Sequence, residues 1–328
     1  MSRTEKPPKP AHYLEWLAVK GLVSLVRAGS LDGAYRRIGG LSRLGRKILR
    51  SEWNWTLTNL KLVYGPNLSD AARERLATLV FRNLFFSHME GMRVNEIQFE
   101  NEGLQHLKAA CEMERGVIIC GVHVGSWEPG LKRLAEASGR PTVIVYRHAN
   151  NPLSERVFQK LREPYGVEWV ARRDPRGAMQ ALRDKKILGL MTDINIRQGG
   201  IAAPFLGLPA MTPVGPAKLA MRFGSPLLPI IATREAQGRS VFRVGEPIEP
   251  LAKGLGEKGE IMLTTRINTA FDDWIHTYAE QYNWLHARWR TRPDGALWRY
   301  DDPPIDQMWK SRTTPFATLS ERVMKMIS

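Results

Sequence analysis

The run Val117-Ile-Ile-Cys-Gly-Val122 constrains this chain most. It is apolar on both faces, as a strand must be when it is covered by helices on both sides. Related apolar runs occur at 141–146, 187–191 and 226–231, a shorter one at 169–171, and an alternating one at 241–244. Helix-compatible stretches separate them, at 177–185 and 213–223 among others. Strands alternating with helices predict an α/β fold with a partly parallel central sheet flanked by helices. In such sheets the chemistry collects at the carboxyl ends of the strands.

The first run leads straight into His123, Gly125, Ser126, Glu128 and Pro129. Ser126 suits a helix cap, Glu128 a first turn, and Pro129 is tolerated there. His123 is therefore expected on the loop ending a strand, with Glu128 in the first turn of the next helix. An imidazole can take a proton from an attacking hydroxyl when a carboxylate holds its tautomer. His-x4-Glu can supply both groups, although coincidence produces the same spacing. A zinc site is the weaker alternative, because neither H-E-x-x-H nor Cys-x-x-Cys is present.

The second run ends at Arg147, with Asn151-Pro152 behind it. A strand-end guanidinium would point into the same crevice, where its fork suits a phosphate or a developing oxyanion. The alternative is an ion pair with a nearby acid. The run 187–191 ends at Thr192-Asp193, and a Gly- and Pro-rich stretch from Gly199 to Thr212 follows, containing Phe205 and Gly207. It reads as a functional loop or as a turn that positions the next helix. Glu90, near the end of a helix opened by Ser69, reads as a surface acid, with a functional role as the alternative.

These pieces, in order, resemble the lipid A late acyltransferases (the lauroyl/myristoyl family), within the His-x4-Asp/Glu glycerolipid acyltransferase group. The resemblance covers roughly residues 10–292. It rests on Asn59-Leu60, His123-x4-Glu128, Arg147-x3-Asn151-Pro152, Asp193 with Pro204-Phe205-Leu206-Gly207, and Trp284-Leu-His286-Ala-Arg288. Leu206 stands where the family has a second Phe, Ile194 where it often has Gln, and Ala287 where it has a basic residue.

The resemblance implies transfer of a fatty acyl chain from acyl-acyl carrier protein to a hydroxyl of a lipid A precursor. It implies His123, Glu128 and Arg147 as catalytic residues, and Asn151, Asp193, Phe205, Gly207 and Arg288 as substrate contacts. Neither a metal nor a cofactor is called for. A lysophospholipid or another glycolipid is the alternative acceptor. A non-enzymatic basic protein binding membrane or nucleic acid is the alternative of a different class, and converging His, Arg and Asp side chains would argue against it.

The net charge of +15 asks for an anionic partner. No nucleic-acid-binding motif is visible, so nucleic acid is not expected. An acidic carrier protein and an anionic membrane surface remain. Residues 1–11 are Pro- and Lys-rich and are expected to be disordered. The stretch 12–26 is apolar but short, and Glu15 and Lys20 interrupt it. It suggests an interfacial helix through Leu14, Trp16, Leu17, Leu22 and Leu25. A packed, solvated helix and a tilted spanning one are the alternatives. Arg36, Arg37, Arg43, Arg46, Lys47 and Arg50 follow it, against Asp32.

The expected organisation is a disordered basic tail and membrane-associated helical segment over 1–50, a catalytic domain over 51–292, and an extension of unassigned role over 293–328. The expected location is the cytoplasmic face of the inner membrane. Of the cysteines, Cys111 and Cys120, the second lies inside the apolar run and reads as a buried thiol. No disulfide framework is implied.

Overall fold

The computed structural model describes residues 8–301 and 303–328. Helices come first: α1 (Pro10–Arg27), α2 (Leu31–Ile48), α3 (Arg50–Tyr64) and α4 (Asp70–Met92). Strand–helix alternation follows through β1 (Gln98–Glu102), α5 (Leu104–Glu112), β2 (Val117–Gly125), α6 (Trp127–Ser138) and β3 (Thr142–Tyr146). It continues through α7 (Pro152–Arg162), β4 (Glu168–Ala171), α8 (Pro175–Arg183) and β5 (Ile187–Met191). Then come β6 (Gly200–Phe205), β7 (Leu208–Pro213), α9 (Gly215–Phe223), β8 (Leu227–Ala236) and β9 (Arg239–Val244). The chain closes with α10 (Gly256–Thr269), α11 (Asp272–Thr277), α12 (Ile305–Lys310) and α13 (Glu321–Ile327).

The main sheet has seven strands in the order β1-β9-β8-β2-β5-β3-β4. All its pairings are parallel except that of β8 with β9. The expected α/β class is present, and the sheet expected to be partly parallel is mostly parallel. Both faces of β2 are covered: Ile118 and Cys120 belong to one apolar cluster, Val117 and Ile119 to another. That is why the run carries no polar alternation. Cys120 is the buried thiol expected of it.

The Gly- and Pro-rich stretch 199–212 is not an open loop. It forms the antiparallel hairpin β6–β7, turning at Leu206 and Gly207, both with positive φ. Glycine is needed at 207, because a Cβ there would strike Thr314 of the C-terminal extension. After the sheet, α10 and α11 are separate helices, parted at Ala270 and Phe271.

The extension belongs to the core. Met308, Val323 and Ile327 are buried in the cluster that contains α3 and α4 residues. Arg312 donates to the Leu62 carbonyl at 3.0 Å, and the N–H of Thr313 to the Gly207 carbonyl at 2.9 Å.

At the other end, α1 lies along α7. The Asn151 amide donates to the His12 carbonyl at 2.8 Å, and the Ser154 hydroxyl to Glu15 at 2.9 Å. Its apolar face, with Leu14, Leu17, Leu22 and Leu25, is left exposed. Among the described residues no helix is long and apolar enough to cross a membrane. The disorder expected over 1–11 concerns residues 1–7, which lie outside the described residues, while Pro10 already opens α1.

Candidate active site

Strand register builds the centre of the site. β2 and β5 run parallel with Gly121 beside Met191. Continuing that register by two residues sets His123 beside Asp193. The His123 ring Nδ1 lies 2.8 Å from Asp193 Oδ1, and the His123 backbone N–H donates to Oδ2 at 2.9 Å. Asp193 thus grips both the ring and the main chain of the same residue. Nδ1 donates to the carboxylate, which leaves the lone pair on Nε2. No hydrogen bond to Nε2 is found among the described residues.

The burial of the pair is unequal. The Asp193 side chain is 3 % exposed and that of His123 26 %. Burial lowers the affinity of His123 for a proton, but the charge and hydrogen bond of Asp193, and then the charge of Glu128, outweigh it. The net result is an imidazole held above its ordinary pKa. For Asp193, burial works upward and is outweighed by the His123 ring and N–H, with a contribution from His286, so the carboxyl is held below its usual value.

The carboxylate on the His123 ring is therefore Asp193, where the sequence pattern suggests Glu128. Glu128 accepts from the Tyr165 hydroxyl at 3.2 Å and lies 4.0 Å from His88 Nδ1. A Cβ on Gly91 would collide with its Oε2, so Glu128 rests against α4. The indole of Trp127 meets the rings of both His123 and His88 edge-on, at 5.4 Å between centroids in each case.

The loop behind His123 is fixed from several sides. Gly125 has φ +58, and a Cβ there would meet the Ala232 carbonyl. Its N–H donates to the Gln281 carbonyl at 3.1 Å, and the Asn283 N–H to the His123 carbonyl at 2.9 Å. Ser126 does not cap α6 with its side chain. Its hydroxyl donates instead to Glu90 Oε2 at 2.6 Å. Glu90 is fully buried rather than a surface acid. It also accepts from the Tyr35 hydroxyl and from both Nε and Nη2 of Arg234, the latter at 2.7 Å.

The remaining expected residues fall into two groups. Arg147 is exposed and donates to Asn150 Oδ1 at 3.3 Å. β5 stands between the strands that carry Arg147 and His123. Their ends are thus two strand spacings, about 10 Å, apart. Arg147 shares the sheet edge with His123 but is not beside it.

Asn151, Phe205, Gly207 and Arg288 are instead placed within the scaffold. Asn151 is buried, caps α7 by accepting from the Leu153 N–H at 3.0 Å, and tethers α1. Phe205 is buried and Gly207 turns the hairpin. Arg288 is 1 % exposed and lies 4.7 Å from the Phe205 ring centroid. It donates to the Met211 carbonyl at 2.9 Å and the Thr212 hydroxyl at 2.6 Å. Burial drops its pKa to about 10.

No local pattern announces Tyr282, and His286 enters the sequence reading only as part of the Trp284–Arg288 block with no role of its own, yet both bear on Asp193. Burial and then the Asp193 charge push the Tyr282 hydroxyl well up. His286 accepts the Asn195 N–H through Nε2 at 2.8 Å. Its pKa is pulled down to about 4, chiefly by burial, so it stays neutral beside the pair.

A family model described as bacterial lipid A biosynthesis acyltransferase matches residues 2–291. The lipid A biosynthesis lauroyltransferase of Escherichia coli (strain K12) is 26% identical over 305 residues, 89% of this chain and 96% of that protein. The lipid A biosynthesis palmitoleoyltransferase of the same strain is 30% identical over 271 residues, 79% of this chain and 84% of its own length. The phosphatidylinositol mannoside acyltransferase of Mycobacterium tuberculosis (strain CDC 1551 / Oshkosh) is 32% identical over 239 residues, 70% of this chain and 73% of that one.

Proposed function

We propose that this chain, which belongs to the bacterial lipid A biosynthesis acyltransferase family, moves a fatty acyl group from acyl-acyl carrier protein to a hydroxyl of a lipid A precursor. The enzyme class follows from the family, and the non-enzymatic reading falls with it. The observation that carries the mechanism is the His123–Asp193 pair at a strand edge, with Nε2 unbonded.

In this reading Nε2 of His123 takes the proton of the acceptor hydroxyl as its oxygen attacks the thioester carbonyl. Asp193 holds the tautomer and stabilises the imidazolium. Glu128, anchored by Tyr165, adds a second negative charge on the same ring. Ser126 leaves the first N–H groups of α6 without a side-chain cap, and these serve the developing oxyanion. The carbon–sulfur bond then breaks, and the leaving thiolate takes the proton back from the imidazolium. Arg147, exposed on the same edge, meets an anionic part of donor or acceptor rather than the reacting carbonyl.

The net charge of +15 supports an acidic carrier protein and an anionic membrane surface as partners. The exposed leucines of α1, followed by the basic α2, support attachment at the cytoplasmic face of the inner membrane. A second acceptor class, a mannosylated or other glycolipid, is favoured by one finding, the 32% identity to a phosphatidylinositol mannoside acyltransferase.

The test is transfer by the purified protein from acyl-acyl carrier protein to a lipid A precursor, with products read by mass spectrometry. His123→Ala should lose about 10²–10⁴-fold in turnover at an unchanged melting temperature. Near-normal turnover in the folded variant would remove His123 as the base. Transfer to a phosphatidylinositol mannoside, with none to a lipid A precursor, would move the assignment to the second acceptor.

A further inference from the structure

Away from the strand edge, α2, α3 and α4 enclose an open groove of about 610 Å³. That volume lies within the range of sites that take small molecules, about 300–1,000 Å³. Its apolar surface comes from Trp53, Leu79, Phe81 and Phe86. Its charge comes from Arg36, Arg43 and Arg46 of α2 and Arg82 of α4, and no lining residue is acidic. Among the described residues none of these guanidiniums is paired with a carboxylate. In this they differ from Arg93, Arg234 and Arg243, each held by a Glu.

The groove exists because of a gap in α2. Gly39 and Gly40 stand between Arg36 and Arg43. A Cβ on Gly40 would meet nothing within 4 Å. Glycine there is not demanded by a neighbour or by backbone conformation, and it weakens a helix interior relative to Ala. What it leaves is open space along an arginine-lined face. At the same end of α2, Leu44 and Ile48 are 52% and 74% exposed.

We infer that this groove is a binding site for a phosphate-bearing membrane lipid, distinct from the reaction centre at His123. The phosphate lies between the arginines of α2 and Arg82, which meet it with forked donors suited to its oxygens. One acyl chain lies over Phe81, Phe86 and Trp53 in the space above Gly40. Leu44 and Ile48 enter the bilayer beside it. The apolar floor sets this occupant apart from a free anion, and the unpaired arginines set it apart from a zwitterionic or neutral lipid. The site would hold the enzyme on the surface from which its acceptor comes.

The test is binding, so it does not depend on the acyl-transfer reading. Monomeric dioctanoyl-phosphatidylglycerol is titrated into the full-length protein by calorimetry, with dioctanoyl-phosphatidylcholine and inorganic phosphate as comparisons. One saturable site is expected, at least tenfold tighter for phosphatidylglycerol than for either comparison. Arg43→Gln/Arg46→Gln/Arg82→Gln should weaken it at least tenfold. Gly40→Trp, which fills the groove and leaves every charge in place, should do the same. Arg172→Gln/Arg173→Gln/Arg176→Gln removes equal charge from exposed residues elsewhere and should leave the affinity within twofold. Circular dichroism confirms that each variant is folded. Equal binding of phosphatidylcholine, equal binding of phosphate alone, wild-type affinity in the groove variants, or equal loss in the distant variant would each overturn the inference.

Discussion

Glu90 and Asp193 are buried carboxylates that each hold a basic partner, and they do opposite things with it. Glu90 and Arg234 are both buried, and every polar atom of the pair has a partner: Tyr35, Ser126, Asn83 and Ser87 complete the set. Asp193 and His123 form a hydrogen-bonded pair at the sheet edge, but among the described residues His123 keeps one ring nitrogen unbonded, with a quarter of its side chain open. A saturated pair can only fix the chain. A pair with one free lone pair can also exchange a proton. The first grips Ser126, one residue beyond Gly125, and so holds the loop that follows the second.

Breaking the saturated pair gives the largest effect on stability. Glu90→Ala strands Arg234 in the core, and removal of one partner of a buried pair costs about 3–5 kcal/mol. Chemical denaturation should show a loss of that size. A loss below 1 kcal/mol would mean that Arg234 finds water in the variant, and the contrast between the two pairs would blur.

Asp272 gives a smaller effect that sharpens the same comparison, because it is a largely buried carboxylate with no cationic partner among the described residues. It accepts the Leu206 N–H, at 3.3 Å. Burial, against that hydrogen bond and with Asp273 nearby, raises its pKa to about 6. A carboxyl raised in the folded state stabilises when protonated, fully below its unfolded value, and that contribution disappears as pH rises through about 6. Asp272→Asn should therefore stabilise the protein at pH 8, by on the order of 1 kcal/mol after allowance for solvent screening. The gain should vanish near pH 4. A gain that is the same at both values would mean that the ionised carboxyl is not the cause.

The strand edge was legible in the sequence because the apolar runs of β2 and β5 stop abruptly before His123 and Asp193, although β2 itself runs through His123 to Gly125 and so keeps that residue in the strand rather than on the loop expected to follow it. Which carboxylate reaches the ring was not legible. Glu128 is near in the chain, while Asp193 is 70 residues away and arrives only through the β2–β5 register. Glu90 was hidden for the same reason: Ser126 and Arg234 come from 36 and 144 residues away. The hairpin at Gly200–Pro213 was masked by Pro204 and Pro209, which break a strand pattern and are tolerated here in a small separate sheet. The residue types at 151, 205 and 288 matched the family's blocks, but type does not report whether a polar group faces a ligand or the scaffold. The extension beyond 292 shows little periodicity because it is mostly irregular, and it contributes through a few buried anchors rather than through an amphipathic face.

The most direct measurement of the central claim is the titration of the His123 imidazole by nitrogen NMR, with histidine-labelled protein and His123→Gln for assignment. The account predicts a neutral ring protonated on Nδ1 and bare on Nε2, with a pKa above the ordinary value of about 6.5. Removing a nearby negative charge disfavours the imidazolium and lowers that pKa. Asp193→Asn should lower it more than Glu128→Gln does, because Asp193 adds a hydrogen bond to its charge. A neutral ring protonated on Nε2, or a larger fall in Glu128→Gln than in Asp193→Asn, would contradict the account and return the orienting role to Glu128.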